Sequence, residues 1–241
     1  MIEIDIGALA KRRVWVRPTP KRRGHYREIT RSAAAENEVD KVITRYERRK
    51  EISGKLPTYD STPSKIKIPD DIITKTNEYA NVSLAADAEL SAPLDLIDGK
   101  VEIGDYKIGE KNKCVFPSTG ALGMYHTHPY KVVAEDSFSI ADILYVINHD
   151  INVMMAHTIS PGKNAIWMAV RTVDTVDKIR SLDEKVEEKM MVWKAISHDL
   201  SISYKTTDRH WRSNVYDLCE IFKIKLYYGA KGNLKEYKGD W

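Results

Sequence analysis

Two histidines one residue apart, His126-Thr127-His128, run into Pro129, and after a ten-residue gap from His128 a Ser-x-x-Asp follows, Ser139 to Asp142. In a strand, side chains i and i+2 share a face about 6.5 Å apart along the chain, so His126 and His128 can lean toward one ion while Thr127 faces away. Imidazole nitrogens suit zinc, which they bind at about 2.0–2.1 Å in tetrahedral sites. Pro129 ends the strand and lets the chain turn. Ser139 opens an apolar helical run with Asp142 one turn in, the pattern of a capping box. A carboxylate at that helix end can also return to the histidines as a third ligand, leaving the fourth position to water, as in a catalytic zinc site. Alone, a His-x-His pair more often packs and a Ser-x-x-Asp more often caps. Together, in order and on either side of one loop, they read as a site.

The elements needed to position these residues are legible around them. "ALGMYHTHP" reads as a strand entering the histidines, and "SIADILYVINHD" as a helix with Ile140, Ile143, Leu144 and Ile147 on one face. Two apolar strands follow, "INVMMAHTIS" and "NAIWMAVRTV", separated by a Pro-Gly turn at 161–162. Upstream, "IPDDIITKTNEYANVSLA" opens with Pro and two acids, a helix start, and "ELSAPLDLIDGKVEIGDYKIG" reads as strands joined at Asp98-Gly99. Downstream come a long amphipathic helix from Thr175 to Leu200, a second helix "DRHWRSNVYDLCEIF", and a hairpin around Gly229–Gly232. Residues 33–52 carry Val39, Val42, Ile43 and Tyr46 at helical spacing, and the Ser/Pro/Thr/Gly-rich stretch 53–65 reads as a linker. The predicted organisation is a basic arm, helix and linker over 1–65 and a mixed α/β domain over 66–241, with a core at 66–172 and a C-terminal extension at 173–241.

Composition narrows the function classes. The 241 residues carry 42% apolar and 30% charged side chains, an ordinary globular balance, and no apolar run approaches the length of a membrane span. The N-terminus lacks a signal-peptide layout, so a cytoplasmic location without membrane attachment is expected. Two cysteines far apart, Cys114 and Cys219, exclude a disulfide framework and any Cys-x-x-Cys motif, and both read as buried small hydrophobes. A bound metal must then rest on histidine and carboxylate. Residues 1–50 hold fourteen Lys/Arg against seven Asp/Glu, concentrated at 11–31, a stretch that could contact nucleic acid or serve as a solvated arm. His157 reads as a core or edge histidine.

His126-Thr127-His128-Pro129 followed by Ser139-x-x-Asp142 resembles the signature of the JAMM (JAB/MPN-type) zinc metallopeptidases, whose prokaryotic members it is most similar to. The Gly-containing strand before the motif and the apolar helix and strand after it extend the likeness over about residues 66–172. The loop between His128 and Ser139 is three residues longer than the family's usual one, and an insertion is the simpler explanation. The resemblance implies a JAB/MPN, cytidine-deaminase-like α/β fold, a central mixed β-sheet flanked by helices, with Zn2+ held by His126, His128 and Asp142. It implies that Ser139 donates to the reaction's oxyanion and that an upstream glutamate is the general base. Glu89, 37 residues before His126 and at the start of an apolar strand, fits that role best, with Glu102 and then Glu78 behind it. The implied activity is isopeptidase or peptidase cleavage, deubiquitinase-like, at the tail of a ubiquitin-like protein. A binding or assembly module with little turnover, or a DNA-associated protein acting through residues 11–31, are the alternatives.

Overall fold

The computed structural model of the chain describes residues 11–16, 25–30, 44, 47–110, 114, 120–129, 138–160, 163–184 and 208–239. The chain divides into two compact units, Met1–Glu47 and Arg48–Trp241. In the first, β1 (Lys11–Val16) and β2 (His25–Thr30) form an antiparallel hairpin in register from Lys11↔Thr30 to Val16↔His25. The sequence predicts one strand here; the structure supplies the partner that satisfies its backbone groups. Of the helix predicted over 33–52, the chain is helical at 44 and 47–53, and the other positions lie outside the described residues.

The second unit is built on a nine-stranded mixed sheet. Its strands are β3 (Lys65–Lys67), β4 (Leu90–Ile97), β5 (Lys100–Ile103), β6 (Lys107–Ile108), β7 (Gly123–Pro129), β8 (Val153–Ser160), β9 (Lys163–Val170), β10 (Lys225–Ala230) and β11 (Asn233–Glu236). They lie in the order β3-β11-β10-β9-β8-β7-β4-β5, with β6 also on β4. The β7–β8 pair is parallel, its crossover carrying helix α2 (Ile140–Asn148), and all other pairs are antiparallel. Asp98 and Gly99, both at positive φ, make the tight turn between β4 and β5 that the Asp-Gly pair signals.

Helices cover both faces of the sheet, so its central strands are buried on both sides. Helix α1 (Asp70–Ala86), started by Pro69 and two acids as the sequence predicts, packs Ile72 and Tyr79 against Leu90, Ala92, Leu94, Tyr125, Met155 and Met168. On the other face, α2 and α4 (Asp208–Ile221) bring Ile140, Ile143, Ile147, Val215 and Leu218 onto Met124, Met154, Ala156 and Trp167. Helix α3 (Val173–Glu184) is the described part of the long helix predicted from Thr175, whose later turns lie outside the described residues. The predicted C-terminal hairpin, β10–β11, extends the main sheet through β9. The Pro-Gly turn at 161–162 also falls outside the described residues.

The linker expected over 53–65 is packed onto the domain. Pro57 O accepts from Val173 N at 3.0 Å, Pro63 O from the Tyr227 hydroxyl at 2.8 Å, and Ser64 O from Glu236 N at 2.9 Å. Tyr59 donates its hydroxyl to Glu220, and its ring lies 3.8 Å below the Lys225 ammonium. The compact unit therefore begins at Arg48 rather than 66. Ser, Pro and Thr signal an irregular backbone, and here their carbonyls find partners on the domain, so irregular does not mean free.

Candidate metal centre

Strand β7 lies between β4 and β8 and is buried throughout. It reaches β8 closely at Gly123, where an added Cβ would stand 1.7 Å from Val153 O, an approach that only glycine permits. From there the strand alternates: Met124 faces the α2–α4 core and Tyr125 the α1 core. His126 and His128 accordingly share the α2 side, and Thr127 faces α1.

Thr127 has a definite partner set on that rear face. Ser83, on α1, donates its hydroxyl to Ala88 O at 2.7 Å, which leaves its oxygen to accept from Thr127, 2.6 Å away. Thr127 Oγ1 in turn accepts from Leu90 N at 2.9 Å. This directed chain ties residues 88 and 90 to the back of β7. Glu89 sits between them.

On the α2 side, His126 Nε2 and His128 Nε2 approach to 3.0 Å. Asp142 places Oδ1 3.4 Å from the first and Oδ2 3.7 Å from the second. The Phe138 ring packs 6.1 Å from that of His126. The capping box predicted from Ser-x-x-Asp is formed: Asp142 N donates to Ser139 Oγ at 3.1 Å, and Asp142 Oδ2 accepts from Ser139 N at 2.7 Å. Ser139 Oγ also donates to Oδ2, at 2.8 Å. The cap thus fixes the carboxylate and turns its oxygens toward the histidines, so capping and site geometry are one arrangement.

The electrostatics follow from this convergence. Burial favours the neutral form of Asp142, yet the adjoining His126 and His128 hold its carboxyl well below the ordinary carboxylate value. Burial likewise disfavours the charged His126 imidazole, and the Asp142 carboxylate, helped by Glu89, more than offsets it and raises the group above its usual value. Among the described residues, the two Nε2 atoms and the Asp142 carboxylate oxygens face one another across 3.0–3.7 Å. His126, His128 and Asp142 could hold a metal ion.

Glu89 lies just ahead of β4, whose Ser91 is the register partner of His126. Hydrogen bonds from Glu89 N to Glu110 O and from Gly109 N to Glu89 O continue the strand, so Glu89, two residues before Ser91, keeps to the histidine face. Its side chain is buried, 8% exposed, and burial raises its carboxyl, an effect that His126 offsets and Asp142 adds to. The other two candidates stand elsewhere: Glu102 is exposed on the outer strand β5, and Glu78 is exposed on α1, across the sheet. Cys114 is the residue sequence reasoning missed. It is buried with Sγ 3.2 Å from Glu89 Oε2, and no periodicity marks it, because it belongs to neither a strand nor a helix. His157 is in the core on the α1 face, bonded to the Tyr125 hydroxyl and Asn164, and burial lowers its imidazole. The loop residues 130–137, which join the two halves of the motif, lie outside the described residues.

A mixed α/β sheet carrying a His-His-Asp cluster with a buried carboxylate beside it is the class of site the fold defines. Comparison of the chain with family models, curated proteins and solved structures finds no match. Among the described residues, no helix is long and apolar enough to cross a membrane.

Proposed function

We propose that residues 48–241 form a zinc-dependent amide hydrolase of the JAMM (JAB/MPN) type, an isopeptidase or peptidase acting at the tail of a ubiquitin-like protein. The observation that carries this reading is the convergence of His126, His128 and Asp142 with Glu89 on the same face. Ligands about 2.0–2.1 Å from a tetrahedral ion stand about 3.3–3.4 Å apart. His126 Nε2 and His128 Nε2 are 3.0 Å apart, Asp142 meets them with different oxygens at 3.4 and 3.7 Å, and one ligand atom from each residue lies within 4.8 Å of the others, so the three close on an ion by drawing together. When bound, zinc supplies Lewis acidity and lowers the pKa of its water to about 7.

The chain's own groups divide the remaining work. Glu89 takes a proton from water onto its carboxylate and delivers it to the leaving amine, a role worth about 10²–10⁴-fold. Burial raises its carboxyl toward the working pH, as a base requires. Ser139 turns its hydroxyl from Asp142 Oδ2 to the substrate's carbonyl oxygen, while its backbone N–H keeps hold of the carboxylate. Phe138 and strand β7 are buried, and the Phe138 ring lies beside His126.

The test is metal content and hydrolysis together. Wild type should bind one zinc per chain, and both His128→Ala and Asp142→Asn should lose it. Glu89→Gln should keep zinc and lose cleavage of an isopeptide probe, in which a peptide's C-terminal carboxyl is joined to a lysine Nε. Stoichiometric zinc in both ligand variants refutes the assignment, and an unimpaired Glu89→Gln favours a module that binds without turning over.

A second reading concerns Met1–Glu47. The β1–β2 hairpin falls in a stretch, 11–31, with nine basic residues and one acidic, and a two-stranded ribbon matches the width of a DNA major groove. Nucleic-acid binding by this segment would fall steeply with salt and vanish when residues 1–31 are removed; no binding at low ionic strength refutes it.

A further inference from the structure

The Glu89 backbone is held on both sides, by Glu110 O and Gly109 N, and its neighbours are tied through Thr127 to Ser83. Those bonds do not reach the carboxylate, which takes a backbone hydrogen bond from Cys114 besides that residue's side chain, and a base displaced by about 1 Å can lose 10²-fold in rate. Among the described residues, the hydrogen-bonding side chain on its carboxylate is Cys114, with Sγ 3.2 Å from Oε2. The same sulfur is 3.9 Å from Leu90 O, so the carboxylate is the nearer acceptor. Cys114 is 4% exposed and Glu89 8%, so the contact between them is shielded from bulk solvent.

We propose that Cys114 is a positioning residue for Glu89, donating its S–H to Oε2 and so fixing the carboxylate over the metal centre. The inference rests on the reading of Glu89 as the general base. The thiol is suited to the task because it is a weak donor. A lysine or arginine in its place would hold the carboxylate by neutralising it, and a buried base paired with a cation is a poor base. A thiol orients the group and leaves its charge in place. The donor stays protonated, since burial and the adjoining Glu89 carboxylate push the thiol far above its ordinary value. The cysteine that composition assigns to packing thereby has a directed partner.

The experiment has one readout that needs no substrate. The infrared S–H stretch falls in a window clear of other protein bands, and the chain has two thiols, Cys114 and Cys219. In metal-free protein, the band that disappears in Cys114→Ser should lie at lower wavenumber than the Cys219 band. It should move back toward the Cys219 band in Glu89→Gln, whose amide oxygen is a weaker acceptor. A Cys114 band coincident with that of Cys219, or unmoved by Glu89→Gln, overturns the proposal. With zinc bound, Cys114→Ala should lower kcat on the isopeptide probe by about 10- to 100-fold at unchanged KM and metal content. Cys114→Ser should restore most of it, and covers the case in which the alanine variant does not fold. Wild-type kcat in zinc-loaded Cys114→Ala overturns the positioning role alone. A zinc-loaded wild type that does not cleave the probe overturns the hydrolase reading, and with it any catalytic use of the pair, whatever the infrared band shows.

Discussion

Asp142→Asn separates the two duties of the residue that joins the helix cap to the metal centre. The substituted side chain has the same size, and its oxygen can still accept from Ser139 N, which is 2.7 Å from Oδ2 in the parent. What changes is the acceptor's charge. Hydrogen bonds to a charged group contribute about 1.5–3 kcal/mol and neutral ones about 0.5–1.5, so the cap loses about 1 kcal/mol. For a unit the size of Arg48–Trp241 the cap's share is a fall of about 2–4 °C in Tm without metal, to which loss of the His126–Asp142 attraction adds at pH values where His126 is charged. The metal response should change much more. Zinc at a hundred times its Kd stabilises a protein that binds it only when folded by about 2.7 kcal/mol, or about 5–11 °C at the same conversion. In the variant, the side-chain amide nitrogen takes the place of the oxygen now 3.4 Å from His126 Nε2 and donates to it, occupying the lone pair an ion needs. Scanning calorimetry of both proteins, with and without zinc, should therefore show the rise in the parent and a rise near zero in Asp142→Asn. An equal metal-dependent rise in both proteins refutes the assignment of Asp142 as a ligand.

Removing the Thr127 hydroxyl in Thr127→Val leaves Leu90 N without its acceptor, which should cost about 1–3 kcal/mol and speed hydrogen exchange at Leu90, with zinc content unchanged and Thr127→Ser restoring the parent. Ser139→Ala removes the hydroxyl that accepts from Asp142 N and donates to Oδ2, and denaturant titration should show a loss of about 1–2 kcal/mol in metal-free protein. The His126–Asp142 pair makes metal-free stability depend on pH in a fixed sense: Asp142, held below its ordinary 3.8, contributes above that value and loses the contribution as pH falls, while His126, raised above 6.5, contributes fully below that value and loses it as pH rises through the raised one. The pair's contribution to Tm should thus be greatest between about pH 4 and 6.5, and zinc affinity should rise as pH climbs through the His126 titration, with proton release on binding. Both thiols are pushed far above their ordinary value by burial, so Cys114 and Cys219 should resist a thiol reagent at neutral pH in the native protein and react on unfolding.

The elements around the motif were legible because each carries its own local signal. The stretch "ALGMYHTHP" was readable as β7, the four apolar positions of α2 identified its buried face, and Asp98-Gly99 identified the turn before β5. The cap was legible for the same reason, since Ser139 and Asp142 interact within one helical turn. The fate of residues 53–65 was not, because composition reports that a segment lacks regular structure and says nothing about whether its carbonyls find donors on the domain. The choice among Glu89, Glu102 and Glu78 was open for a related reason. All three precede the histidines, and only pairing register, a contact between segments 35 residues apart in the case of Ser91 and His126, puts one on the histidine face, one on an outer strand and one across the sheet.

Thr127 shows how tightly the two kinds of information are joined. Between two histidines, its side chain had only one reading in sequence, that it faces away. In the structure that outward turn lets it accept from Leu90 N and donate to Ser83, whose own hydroxyl is bound to Ala88 O. The residues so fixed flank Glu89, on the other side of the sheet from Thr127 itself. A period-two pattern that presents two imidazoles to the site must present the intervening side chain to the opposite core, where a nonpolar residue could fill the space but would leave Leu90 N without its acceptor. The hydroxyl links the front of the sheet to its back: the strand that carries His126 and His128 also holds the backbone on either side of Glu89.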